Sequence, residues 1–337
     1  VTRYRLTPTE PSMAADGFAL FRDAYARATR ASPLLPPLTP EHEARLLARV
    51  MRTFEHGGVA AWRGGSLVGY MVAGPSFEMR GLTASLVPEY GHAVAPGEDA
   101  GLYGALYAAT AEHLVRQGVH LHLIGHFAAE REAAAELVDL GFGAFVAERL
   151  RDLSDVAQTH PVTNPVTNAV TNHRDAHDHR IHRMPRETSW ERLAPLAAQH
   201  AAYYRQSPLF LVKDDALDTA VAELEEHRRA GDALFVYLAA GEPLAYLVAG
   251  TCHGTSEGRL LAGTATAQVR SAYAVPAARR GGIGSALLQR AVRWAREAGF
   301  ERVFVEHETA NLEGGPFWRR HFAPFVVFSM RYVDRTL

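Results

Sequence analysis

Apolar positions along the chain fall into two successions of the same kind. From Asp16 to Ala28 and Glu41 to Phe54, and again from Trp190 to Ala201 and Leu217 to Arg229, they recur every three or four residues, which predicts amphipathic helices. Two short runs of strand-forming residues follow each helix pair: Gly58 to Trp62 with Leu67 to Ala73, and Ala233 to Ala239 with Pro243 to Ala249. Glycine-bearing turns join them, as in a β-meander. A third strand then enters a loop and a helix, and Val119 to Gly125 or Arg302 to Glu308 forms the next strand. A helix and a last strand close each succession. The order predicts an α/β fold in each half, a mixed, mostly antiparallel sheet flanked by helices.

The two successions are copies. An offset of 181 residues sets Val94 on Val275, Gly101 on Gly282, Leu106 on Leu287 and Gly118 on Gly299 without a gap. "LVGYMVAG" (Leu67 to Gly74) matches "PLAYLVAG" (Pro243 to Gly250), "SPLL" at Ser32 matches "SPLF" at Ser207, and Gly141 to Leu153 matches His321 to Val333. Ordered matches at a nearly constant offset indicate a duplicated domain of ordinary size. Between the copies, Ser154 to Arg180 carries PVTN-PVTN-AVTN and then a His/Asp/Arg cluster, with no apolar stripe. It is read as a solvated linker. The predicted domains are therefore 1–153 and 181–337, joined by 154–180. His173, His177, His179 and His182 lack the rigid frame a metal site needs, so no metal is expected.

Composition narrows the partners. The 337 residues carry a net charge of −2, which argues against nucleic acid. No apolar run is long enough for a membrane span, and the polar start of the chain shows no secretory leader. One cysteine, Cys252, cannot form an internal disulfide, so a cytoplasmic, reducing setting is expected. Lys213 is the only lysine; the arginine and alanine bias fits a bacterial chain. The expected assembly is a monomer or homodimer.

The chemistry concentrates in "VPAARRGGIGSALLQRA" (Val275 to Ala291). Apolar residues at Ile283, Leu287, Ala291, Trp294 and Ala298 predict a helix packed on the sheet, and the preceding strand aims the chain into its N-terminus. First-turn N–H groups, the helix dipole, close-approaching glycines and the charge of Arg279 and Arg280 make an anion cradle suited to a diphosphate. The loop lacks the Lys-Ser/Thr of a P-loop and the spacing of a dinucleotide fingerprint.

Arg279, Gly282 and Gly284, read as R-x-x-G-x-G after "AYAVP", resemble the acetyl-CoA loop of the GNAT N-acetyltransferase superfamily, and "ETANLEGGPFWRRHF" (Glu308 to Phe322) looks like that family's closing motif. The resemblance covers the whole C-terminal half and implies two tandem GNAT-like domains. It implies that the Ala274–Val275 backbone holds the pantetheine arm of acetyl-CoA as an added strand. N–H groups across Arg280, Gly281, Gly282, Ile283, Gly284 and Ser285 would hold the pyrophosphate, with Asn311 near the thioester. Trp318, counted among the cofactor-binding positions by the resemblance, stands where many members carry a tyrosine that protonates the leaving thiolate.

The N-terminal copy departs from this pattern. Glu98 and Asp99 replace the arginines, Tyr103 replaces Gly284 and Glu130 replaces Asn311. Carboxylates beside a diphosphate cost up to about 4 kcal/mol per close pair, which outweighs a helix dipole worth about 0.3–1 kcal/mol. This half is expected to shape the acceptor cleft and not to bind CoA.

By the resemblance, the reaction is direct attack of an acceptor amine on the thioester, with a small molecule as acceptor. A base is needed to take the ammonium proton. Alternation along "VFVEHET" puts His307 on one face and Glu306 and Glu308 on the other, and all three are candidates. Tyr273, two residues before Val275, is the candidate proton donor to the thiolate. A non-catalytic acyl-CoA sensor and a protein N-acetyltransferase are the alternatives.

Overall fold

The computed structural model describes residues 3–98, 101–154 and 177–337. The repeat PVTN-PVTN-AVTN and His173 lie outside them, as does Asp99. Contacts divide the chain into two compact units.

The first unit comprises Val1–Arg149, His307–Thr309 and Ala323–Leu337. It opens with β1 (Arg5–Pro8), α1 (Ala14–Ala31) and α2 (Pro40–Phe54), the last begun by Thr39, whose hydroxyl accepts the His42 N–H. Strands β2 (Gly58–Arg63), β3 (Ser66–Val72) and β6 (His92–Val94) extend β1 into one antiparallel sheet, in the order β1-β2-β3-β6. A second sheet holds β4 (Phe77–Met79), β5 (Leu82–Val87) and β7 (Leu121–Phe127). Helix α3 (Gly101–Arg116) packs Leu102, Leu106 and Tyr107 on Val59, Met71 and Ile124. Helix α4 (Arg131–Asp139) and β8 (Gly143–Asp152) follow.

Here the division differs from the predicted one. The chain's last strand, β14 (Ala323–Tyr332), belongs to the first unit and not to the 181–337 domain. It pairs antiparallel with β7 from Val326↔Phe127 to Tyr332↔Leu121. The cause lies in β7, all seven residues of which are buried. Such a strand needs ladder partners along both edges; β5 supplies one in parallel and β14 the other.

The second unit comprises Leu150–Glu306 and Ala310–Phe322. Its strand order is β13-β12-β11-β10-β9, from β13 (Arg302–Glu308) through β12 (Thr266–Ala274), β11 (Glu242–Thr251) and β10 (Ala233–Ala239) to the edge strand β9 (Ile181–Arg183). One face packs on α7 (Ile283–Glu297), whose Ile283, Leu287 and Ala291 meet Phe235, Leu247 and Val269. The other face packs on α5 (Ala194–Tyr203) and α6 (Leu217–Ala230) through Leu196, Leu224, Val236 and Val248. A short helix, α8 (Gly314–His321), precedes β14. Each unit thus carries the expected mixed sheet flanked by helices. Among the described residues, no helix is long and apolar enough to cross a membrane.

Candidate functional site

Strands β12 and β13 part company where the chemistry is expected. Their parallel pairing runs from Thr266↔Arg302 to Val269↔Val305, and β12 then continues five residues, to Ala274. A bulge against β11 between Val248 and Ala249 accompanies the parting. Alternate ladder groups of β12 beyond Val269 therefore point to an edge with no further register on β13. At its end, the Val275 N–H donates to Leu244 O (3.0 Å), and the Val275 carbonyl accepts from Ala278 N–H (2.8 Å). Val275 is fixed by its own chain, so strand-like pairing with an extended ligand falls on residues before it.

Next comes the loop. Arg280 (φ 63°) and Gly282 (φ 89°) both adopt the left-handed region, which is costly for the arginine and suits the glycine. Gly282 caps α7, and Gly282 O accepts from Ala286 N–H at 3.0 Å. First-turn N–H groups of a helix lack intrahelical partners by construction, and alternating backbone conformations before them turn further N–H groups to one side. A Cβ placed on Gly281 would meet nothing within 4 Å. The donor set and the room above it fit a diphosphate.

The two loop arginines are used differently. Arg279 Nε donates to Ala274 O (3.0 Å), and its guanidinium lies over the rings of Tyr203 (5.1 Å) and Tyr273 (5.6 Å). It ties the strand end to the loop, a role that charge counting did not give it. Arg280 is highly exposed and pairs at 3.4 Å with Glu313. Ser285 Oγ lies 3.3 Å from His321 Nε2 on α8. Asn311 caps α8: its Oδ1 accepts from Gly314 N–H (2.8 Å) and from the Tyr203 hydroxyl (3.0 Å). The structure places Trp318 in the core, 9% exposed against Phe317 and Phe322, and not among ligand-facing groups. Its helix turns the indole under the sheet, so the cofactor-binding expectation for Trp318 is corrected.

The strand candidates separate as alternation requires. Glu306 and Glu308 are half-buried and His307 is 4% exposed. Arg149 Nε–H donates to His307 Nε2 (3.0 Å), and His307 Nδ1–H donates to Glu308 O (3.0 Å). With both ring nitrogens committed, His307 is a packing residue of the first unit and not a base. Glu306 shares a sheet face with Phe304, away from the α7 core. Tyr273 is half-buried, on the face toward α5.

Two groups escaped the sequence reading. His177 Nε2–H donates to Gly281 O (2.8 Å), and its Nδ1 lies 3.3 Å from the Tyr237 hydroxyl. Asp178 pairs with Arg293 (2.8 Å) and Arg290 (3.6 Å) on α7. The end of the stretch read as a solvated linker is thus fastened to the loop, which corrects that reading for residues 177–180. A second group, His200, Tyr203 and Tyr204, occupies one face of α5 at i, i+3, i+4 spacing. That spacing in "HAAYY" was its legible signal. Among the described residues, no cluster of three or more His, Cys, Asp or Glu is placed to hold a metal ion.

In the first unit the equivalent loop is closed by its own side chains. Glu98, its side chain 2% exposed, pairs with Arg63 (2.5 Å) and accepts from the Tyr4 hydroxyl (3.0 Å). Tyr103 fills the Gly284 position at 6% exposure, its hydroxyl 3.4 Å from His92 Nδ1. Burial pushes Glu130 up to about 7, partly offset by the Arg27 cation, and pushes His92 down to about 4.

Comparison with known proteins bears on the family profile and the fold. Residues 196–322 match the sequence profile of the Acetyltransferase (GNAT) family. A GCN5-related N-acetyltransferase from Sphaerobacter thermophilus superposes with a TM-score of 0.57 at 15% identity, covering 98% of this chain and 96% of that one. The glucosamine N-acetyltransferase region of a fungal multi-domain GH3 β-N-acetylglucosaminidase gives 0.54 at 15% identity, covering 97% of this chain and 38% of the fungal protein. At such identity these likenesses speak to the fold, a tandem pair of GNAT-like domains. No curated protein matches the chain in sequence.

Proposed function

We propose that the chain, whose residues 196–322 match the GNAT acetyltransferase family, is an acetyl-CoA-dependent N-acetyltransferase in which a small-molecule amine attacks the thioester directly. The observation that carries this reading is the contrast between the repeats. In the second unit the strands part, glycines open the loop and α7 offers its N-terminus. In the first unit a buried carboxylate and a tyrosine fill the same place.

In this reading the N–H groups from Arg280 to Ser285 hold the pyrophosphate, and the β12 edge from Arg270 to Ala274 holds the pantetheine arm. Asn311, its Oδ1 already used, has its Nδ2 donor left for the thioester end. Glu306 takes the first proton from the acceptor ammonium, directly or through water, and Tyr273 protonates the departing sulfur. Acetyl-CoA supplies an activated acyl group; the protein orients it and handles the protons.

Titration calorimetry tests the binding half. One CoA per chain is expected, and Gly282→Asp, which forces a side chain into φ 89° and puts a carboxylate at the cradle, should abolish it. Two sites, or binding that survives the substitution, would refute the assignment. Thiol release from acetyl-CoA with a panel of small primary amines tests the chemistry: binding without release identifies an acyl-CoA sensor, and release with peptides alone identifies a protein acetyltransferase.

A further inference from the structure

The face of β11 and β12 that α5 covers carries a hydrogen-bonded cluster that the reading above does not use. His200 Nδ1 lies 3.1 Å from Tyr246 Oη and 3.3 Å from Ser271 Oγ, and the two hydroxyls are 2.9 Å apart. The imidazole stacks on Tyr273, with centroids 5.3 Å apart and planes at 27°. Nδ1 is therefore committed, whereas Nε2 makes no hydrogen bond among the described residues.

The duplication supplies an internal control. The same positions of the first unit hold Tyr25, Tyr70 and Tyr90. There the Tyr25 hydroxyl donates to Pro36 O (2.7 Å) and the Tyr70 hydroxyl to Tyr90 O (2.9 Å), so both end on backbone carbonyls. Only the unit with the open glycine loop replaces this packing with an imidazole that has one nitrogen fixed and the other uncommitted.

The cluster also borders the predicted point of reaction. Tyr273, beneath the imidazole, immediately precedes Ala274 at the end of β12. Tyr203, three residues along α5 from His200, donates to Asn311 and lies under Arg279. Burial, and then the Lys213 and Arg279 cations, push His200 down to about 3. Tyr204, Tyr246, Ser271 and Tyr273 also touch the ring, and the carboxylate of Glu223 acts on Tyr246 from α6. A ring held neutral does not repel an incoming amine.

We propose that His200 is a catalytic residue on the acceptor side, its Nε2 taking the proton that the amine nitrogen sheds once it has bonded to the acetyl carbon. This rests on the N-acetyltransferase reading. The nitrogen lone pair forms the N–C bond and leaves the nitrogen positively charged. Its surplus proton passes to Nε2, and the negative charge developing on the carbonyl oxygen offsets Lys213 and Arg279 and raises the basicity of the ring at that moment. The C–S electron pair departs with sulfur, which takes the Tyr273 phenol proton. The imidazolium returns its proton to the phenolate through solvent. One N–H has become one S–H, and both side chains are restored. Tyr246 and Ser271 are positioning residues that hold the ring through Nδ1.

The experiment uses the full chain, acetyl-CoA and the amine panel. His200→Gln should lower kcat about 10²-fold while KM for acetyl-CoA stays within about twofold. Added imidazole should restore part of the activity of His200→Ala. A glutamine variant within about threefold of wild type, or an alanine variant that imidazole does not rescue, overturns the proposal. In an NMR titration of the unliganded protein, the imidazole missing from His200→Gln should stay neutral from about pH 8 to pH 5; titration near the ordinary histidine value also overturns it. If wild type releases no thiol with any amine, the acetyltransferase reading itself has failed. If wild type turns over and the variants match it, this inference alone has failed.

Discussion

Tyr273 shows how much chemistry one strand-end residue can gather. A neutral imidazole stacks on its ring, a guanidinium lies over it, and no hydrogen bond among the described residues holds its hydroxyl. Tyr273→Phe should lower kcat about 10²-fold with little change in acetyl-CoA affinity, measured by steady-state thiol release beside calorimetry. His307 should behave in the opposite way. His307→Gln removes a buried partner of Arg149, so it should cost about 1–3 kcal/mol of stability, read in denaturant unfolding, with kcat per folded molecule unchanged. Alternation in the sequence put His307 on the face opposite Glu306 and Glu308, in keeping with its deeper burial. It could not reveal that Arg149, 158 residues away along the chain, would occupy the His307 nitrogen. Partners of that separation leave no local trace.

The loop between β12 and α7 works as an element because other elements hold it. Arg279 fastens one end to Ala274, and His177 fastens Gly281 from the far side of the repeat-bearing stretch. Replacing residues 161–172 by a Gly/Ser sequence of equal length should change CoA affinity little, because loop terms vary slowly with composition and length. His177→Ala should weaken CoA binding roughly 2–10-fold, the worth of one hydrogen bond that pre-sets the loop. Calorimetry on the two variants separates connection from clamp. The Gly-Gly-x-Gly spacing and the apolar stripe made the loop and its helix legible in sequence. His177 was read as polar filler because its neighbours in sequence carry no apolar period, and its partner is a backbone carbonyl 104 residues away.

Across the whole molecule, buried titratable groups set opposing pH limits. His92 and His200 are held down to about 4 and about 3, so below pH 6.5 the unfolded chain binds protons that the folded chain refuses. The stability they allow above 6.5 is lost as pH falls toward those values. Glu130, pushed up to about 7, has the reverse sign: the folded chain keeps a proton that the unfolded chain releases from 4.5, and the stability gained below 4.5 disappears as pH rises through 7. The two windows overlap between 4.5 and 6.5 and oppose each other there, so in denaturant titrations Glu130→Gln should steepen the loss of stability as pH falls through that range. The duplication itself was plain from its constant offset, and with it the mixed sheet of each copy. The home of the final strand was not, since Ala323–Tyr332 would read equally well as the closing strand of either copy.

That strand has a consequence in time. During translation, β7 emerges long before Ala323–Tyr332, the partner that covers one of its edges. At about 5–20 residues per second, the nascent chain waits roughly 10–40 s between completing β8 and delivering β14. A seven-residue strand that the fold buries throughout, left with a bare edge, is a hazard over that interval. A fragment ending at residue 153 should therefore aggregate when expressed alone, and a synthetic peptide of residues 323–337 added during refolding should return it to solution, as read by light scattering.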